Sequence, residues 1–170
     1  MRFTTVLLIS VLCCVLSSCT LLSKMSKVSD KMQQTGDKMR NIAVRNNMLA
    51  VQVGLETYAK EHDGKYPTVV DEAFKASFRK PNSVNLDGPV NPFTNKAEWP
   101  TVGGGAASLE AAKNSPPAQL KPGEIYYCPI AGGESYAIMG GSQEGTPIMN
   151  SITGKPFTLT KGLLSKLLRH

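Results

Sequence analysis

Three observations predict an α+β fold. Residues Ser23 to Glu61 contain no proline and carry apolar side chains at helical spacing. Residues 79–123 are interrupted repeatedly by proline and by Gly103-Gly104-Gly105, which marks a long loop region. Between Glu124 and Asn150, three short runs rich in aromatic and aliphatic residues follow one another, divided by glycines. The expected architecture is a long N-terminal helix packed on a small antiparallel sheet, with a Pro/Gly-rich central loop and a short C-terminal helix.

The chain opens with one cation, Arg2, and an apolar run from Val6 to Leu16, followed by Ser17-Ser18-Cys19. A basic start, an apolar stretch and a small-residue site describe an export signal, so residues 1–18 are set apart from the fold. Because the small residues end in cysteine, Leu16-Ser17-Ser18-Cys19 resembles a bacterial lipobox. That resemblance implies diacylglycerol on the Cys19 thiol, cleavage between Ser18 and Cys19, and a mature chain held to membrane lipid by acyl chains. Each buried methylene contributes about 0.8 kcal/mol, so several chains anchor stably. Two other readings use the same residues: a secretory signal with a coincidental cysteine, and an uncleaved helix from Phe3 to about Leu22. The apolar run is shorter than the ~20 residues a span usually needs. The expected location is the cell membrane or outer membrane, with the domain outside the cytoplasm. Thr20, where some enteric bacteria place an inner-membrane retention aspartate, favours the outer membrane wherever that rule applies.

After the anchor, residues 19–42 read as a tether or the first half of the long helix. Met25, Val28, Met32, Met39, Ile42, Leu49 and Val53 recur every three or four residues, with Thr35 and Asn46 as polar interruptions. This is a narrow stripe with the spacing of a coiled-coil seam. If helical throughout, the segment exceeds 50 Å at ~1.5 Å per residue. From Ala43 the apolar content rises, and this half is expected to pack on the core. Asp63-Gly64 stops the helix, since glycine accepts the left-handed conformation at a helix end. After Tyr66-Pro67, Thr68 is expected to cap a short helix reaching Phe78, with Asp71 near its positive end. A brief helical turn is expected over Ser108–Lys113, and Phe93 and Trp99 are expected to pin the loop to the body. Strands are expected at Glu124–Ile130, Glu134–Met139 and Thr146–Asn150, as an antiparallel meander. Thr160–His170 reads as an amphipathic helix with Leu163, Leu164, Leu167 and Leu168 on one side. The domain proper is taken as 43–150 and the C-terminal segment as 151–170.

The formal charge is +6, with lysines and arginines gathered soon after Cys19 and again beyond Glu144, the last acid. Such charge suits anionic headgroups or solvated helix faces; no nucleic-acid partner is expected of an exported chain. Cys13 and Cys14 leave with the signal and Cys19 takes lipid, so Cys128 alone remains and no disulfide is expected within the mature domain. Its apolar setting predicts a buried, inert thiol. No catalytic set emerges. His170 is terminal, Glu61-His62-Asp63 do not share a helix face, and Gly103–Gly105 lack the Lys-Ser/Thr of a phosphate loop. The chain is expected to be no enzyme and to need no cofactor.

Leu55 to Thr68, ending in Gly64-Lys65-Tyr66-Pro67-Thr68 after Tyr58, resembles the major pseudopilin of type II secretion and, more broadly, type IV pilin-like domains. Asn91-Pro92-Phe93 is similar to that family's central-loop element, and Ser135–Gly141 with Glu144-Gly145 to its terminal strand and turn. The resemblance covers roughly 43–150. It implies a pilin-like fold in which Tyr58, Gly64, Tyr66, Pro67 and Thr68 are structural, and partners among envelope secretion or pilus proteins. The departures are informative. Arg2 to Leu22 holds neither the glycine of a prepilin-peptidase site nor the glutamate that pairs with a new N-terminus, so the family's filament route is not expected. The family's calcium loop corresponds to Gly140–Gly145, which offers one carboxylate, Glu144, with Glu134 as a second. Calcium takes six to eight oxygens, and no metal site is expected. A different reading is an envelope lipoprotein that binds a small ligand or glycan through the 79–123 loop, using Phe93, Trp99 and tyrosines.

Overall fold

A computed structural model describes residues 2–78 and 88–162, with side chains from Ser29 onward. The chain divides into two units, Met1–Met39 and Arg40–His170. Helix α1 spans Arg2–Glu61. In the first unit, the described side chains from Ser29 to Met39 are mostly exposed, and Met32 and Met39 are exposed with the rest.

The second unit is α+β. Its part of α1 buries Val44, Met48, Val51, Leu55 and Ala59, a spacing of three and four that keeps one stripe on the core. Each such side chain contributes about 1.5–3 kcal/mol on full burial. These residues belong to the apolar half expected on the core, whereas the coiled-coil-like seam lies on another side. Ile42 is 53% and Val53 52% exposed, and of that set only Leu49 packs partly against the core. The buried positions are shifted by two residues from the seam, about 200° around a helix of 3.6 residues per turn, hence on the opposite side.

Four strands form a mixed sheet in the order β1-β2-β3-β4. Strands β2 (Ile125–Ile130) and β3 (Ser135–Gly140) pair antiparallel, from Ile125 opposite Gly140 to Ile130 opposite Ser135. These are the expected strands. The meander is otherwise corrected. Strand β1 (Thr101–Val102) arises inside the central loop and pairs parallel with β2. The third expected strand, Thr146–Asn150, forms only the isolated bridges Gly141–Pro147 and Met149–Pro156. Pro147 has no N–H to give a ladder, and β4 (Leu159–Thr160) takes the place beside β3 instead. Thr160 is therefore in a strand and Lys161-Gly162 in a turn, and the rest of the expected C-terminal helix lies outside the described residues.

Side chains alternate across the sheet. Ile125, Tyr127, Tyr136 and Ile138 join the α1 residues, Phe74 and Leu159 in the main core, while Cys128, Ile130 and Ala137 meet Ala112 and Leu109 on the other face. Those last two belong to α3 (Leu109–Asn114), capped by the Ser108 hydroxyl, which accepts from the Ala111 N–H at 3.1 Å. Helix α2 (Glu72–Ser77) is capped by Asp71 rather than Thr68; its carboxylate accepts from the Phe74 N–H at 2.8 Å. Thr68 lies too far before the first helical turn, and Val69-Val70 intervene. Trp99 sits edge-on to Phe74 and Phe78, 6.2 and 5.5 Å between centroids, so it does pin the loop to the body.

Candidate functional site

The residues that carried the family resemblance converge where α1 ends. Ala59 accepts the Gly64 N–H at 2.8 Å, with Gly64 at φ 78°, a six-to-one closure that leaves the helix end satisfied. Tyr58 stacks on His62 at 3.7 Å between ring centroids, and the His62 Nδ1 lies 2.8 Å from the Tyr58 carbonyl oxygen. The chain then turns inward. The Tyr66 N–H donates to the Gly133 carbonyl at 2.8 Å, joining the helix end to the β2–β3 turn. Lys65 pairs with Glu134 across the same gap. Pro67 is buried and its carbonyl accepts the Tyr127 hydroxyl, whereas Thr68 is exposed.

Beneath this turn lies a polar cluster that sequence reasoning did not anticipate. Glu56 receives two hydroxyls: Tyr136 donates to Oε1 at 2.7 Å and Tyr66 to Oε2 at 3.0 Å. Gln52, fully buried, donates through Nε2 to the Tyr136 hydroxyl and the Thr160 carbonyl, both at 2.9 Å. Its Oε1 has no hydrogen-bond partner among the described residues. The rings of Tyr66 and Tyr136 meet edge-on at 4.7 Å, and the Lys161 ammonium sits 5.2 Å from the Tyr66 centroid. Burial pushes the hydroxyls of Tyr66, Tyr127 and Tyr136 far above the ordinary tyrosine value, and Glu56 reinforces this for Tyr66 and Tyr136. All three stay protonated and act as donors. Gln52 and Glu56 are one helical turn apart, which was the one available signal, but polar residues four apart are common on any helix.

A second polar point fixes the central loop. Asn91, 2% exposed, donates to Glu98 Oε2 at 3.0 Å and to the Pro122 carbonyl at 2.9 Å, while its Oδ1 accepts the Phe93 N–H at 2.9 Å. Asn91-Pro92-Phe93 is thus a structural knot. Phe93 and Trp99 are half-buried and pack against the main core. An open groove of about 970 Å³ runs between α3 and residues 150–158, with Lys113, Asn114, Lys155 and Phe157 along it; the Phe157 face is already taken by Arg45 at 4.7 Å.

These contacts tie the helix end, the β2–β3 hairpin and the central loop together. Cys128 is buried and its thiol is pushed up by burial, as its setting in the sequence predicts. Glu134 is held below the usual carboxylate range by Lys65, and Glu144 by the Ser142 hydroxyl. No cluster of three metal-ligating side chains occurs among the described residues. Ser18 and Cys19 lie in α1, in the stretch whose side chains fall outside the described residues. Among the described residues, no helix is long and apolar enough to cross a membrane. No family model matches the chain, and no curated protein or solved structure is significantly similar to it.

Proposed function

We propose that the chain is a membrane-anchored, pilin-like lipoprotein with a structural or interaction role in the cell envelope, accessory to type II secretion or type IV pili. The observation that carries this is the pairing, in one sequence, of Leu16-Ser17-Ser18-Cys19 with the Gly64-Lys65-Tyr66-Pro67-Thr68 block. Support comes from what that block does. It ends a long helix and ties it through Tyr66 and Pro67 to the β2–β3 hairpin, which is the structural part the resemblance assigns to it. Further support comes from the surface of the second unit. The sheet is covered by a helix on each face, while α1 keeps an apolar stripe in solvent, an arrangement suited to assembly. With neither the glycine nor the glutamate of the filament route, the domain is displayed at a membrane by lipid on Cys19 rather than polymerised.

The test compares the unaltered chain with Cys19→Ala in a bacterial host. Acyl labelling, mature mass and membrane partition are read together. The unaltered chain is expected to take lipid, lose residues 1–18 and sediment with membranes, and the variant to take none. An unaltered chain that carries no lipid and retains residues 1–18 would overturn the reading.

A further inference from the structure

The open groove between α3 and residues 150–158 lies wholly within the second unit. Leu109, Pro116, Pro156 and Phe157 give it an apolar lining, and each of them is half-buried rather than buried. One wall is the helix. The other is the stretch of chain that leads directly into β4. Strand β4 pairs with β3 alone and is the last strand at this edge of the sheet.

The described chain leaves β4 at the end of the sheet where α3 begins. Thr160 stands opposite Ala137, two residues from Ser135, which pairs with Ile130. Ala106, just ahead of the Ser108 cap of α3, bridges the same Ile130 from the other side. After β4, Lys161 and Gly162 form a turn, with Gly162 at φ 79° and the Lys161 ammonium donating to the Glu134 carbonyl at 3.2 Å. A chain that reverses at this turn enters the groove from its Leu109–Thr158 end and runs back along Pro156 and Lys155 toward Asn114 and Asn150.

Residues 163–170, which lie outside the described residues, have the length and pattern for that path. Eight residues span about 12 Å as a helix, against about 9 Å for the six of α3. Leu163, Leu164, Leu167 and Leu168 recur at the spacing of one helical side, and Lys166 and Arg169 fall on the other. Leucines laid on the apolar lining would thus hold those cations away from Lys113 and Lys155, which border the groove. Connectivity favours this occupant over a free partner, because a segment joined to the groove wall by a few residues has an effective concentration of about millimolar. We propose that residues 163–170 form an amphipathic helix that folds back at Gly162 and seats its leucine side in the groove between α3 and residues 155–158. Every residue involved lies in the second unit, and the docking requires no lipid on Cys19.

The full chain carrying Asn114→Cys with Leu167→Cys tests this, and Lys60→Cys with Leu167→Cys is the comparison pair; Asn114 on α3 and Lys60 on α1 are both exposed. Each pair is oxidised with copper phenanthroline in membranes and again after extraction into detergent. Linked peptides are mapped by mass spectrometry on the monomeric species, with the unaltered chain reporting links from its native cysteines. The 114–167 link within one chain is expected to exceed the 60–167 link at least tenfold in both settings. Leu164→Asp with Leu168→Asp, added to the 114–167 pair, should reduce that link at least tenfold while thermal melting remains a single cooperative transition. Equal or absent links in the two pairs, links between chains instead of within one, a 114–167 link indifferent to the aspartates, or one that forms only after extraction has freed the leucines from lipid would each overturn the proposal.

Discussion

Replacing Tyr136 by phenylalanine should destabilise the domain by about 2–4 kcal/mol while leaving its packing in place. The hydroxyl donates to Glu56 Oε1 at 2.7 Å and accepts from Gln52 Nε2 at 2.9 Å. A hydrogen bond to a charged group contributes about 1.5–3 kcal/mol, and a neutral one about 1 kcal/mol. The ring itself remains, so no cavity arises, and its edge contact with Tyr66 persists. The loss is aggravated by Gln52, which is fully buried and whose Oε1 already lacks a partner; after the substitution its Nε2 keeps only the Thr160 carbonyl. Tyr66→Phe removes one bond to the same carboxylate and should cost about 1.5–3 kcal/mol. Because both hydroxyls share Glu56, the double variant should deviate from additivity by about 0.5 kcal/mol or more. Urea unfolding of all four proteins, with unchanged slopes, measures each term. A Tyr136→Phe protein within about 0.5 kcal/mol of the parent would refute the idea that this cluster holds the helix end to the sheet.

Alkaline pH should act on the same cluster. Tyr66, Tyr127 and Tyr136 have raised values in the folded chain, so the stability they hold is complete below pH 10, where tyrosine in the unfolded chain begins to ionise. It is lost as pH rises from there toward the folded values. Each differential proton is worth about 1.4 kcal/mol per pH unit, so three give a slope approaching about 4 kcal/mol per unit; urea midpoints at pH 8, 10 and 11 measure it, and a flat profile would contradict the burial argument. Gly54→Ala should destabilise rather than help, although alanine is favoured by about 1 kcal/mol in a helix interior, because a Cβ there would sit 2.5 Å from Phe78 Cδ2. Thermal melting decides the sign, and a rise in Tm would show that Phe78 moves aside freely.

Much of the fold was legible in local chemistry. Asp63-Gly64 and the Tyr-Pro turn end α1 where expected, a helical turn forms as α3 where Ser108–Lys113 was expected, and β2 and β3 follow their alternation. What was not legible depended on distant partners. Strand β1 is two residues in a proline-rich loop and exists because β2 offers an edge to Thr101 and Val102. Leu159-Thr160 pairs beside Ala137 and Ile138 as β4, while Thr146–Asn150 bonds further along, with the Ile148 N–H on the Gly140 carbonyl and Gly141 opposite Pro147. The cap is Asp71 rather than Thr68 because the Phe74 N–H, three residues beyond Asp71, is within reach of its carboxylate. The Gln52–Glu56–Tyr66–Tyr136 cluster was invisible because its members are brought together by the helix-to-hairpin closure, across sequence separations as large as 84 residues.

Two apolar stripes run along α1, and the core takes one of them. Val44, Met48, Val51 and Leu55 are buried, while Ile42 and Val53 are exposed. Both sets obey the three-four rule, so periodicity alone could not choose between them. The glycines on and opposite the helix decide. Gly54 receives the Phe78 ring, and Gly140 on β3 lies where a Cβ would meet Val44 at 2.6 Å and the Met48 sulfur at 2.8 Å. Close approach is thus available on the Val44–Met48 side, where the sheet docks. A helix apolar on two opposite sides cannot satisfy both with one domain. The side left over carries the half-exposed Ile42 and Val53 on either side of the exposed Asn46, a polar residue that an apolar core would reject. The glycines therefore assign the Val44–Met48 face of α1 to folding and leave the Ile42–Val53 face in solvent.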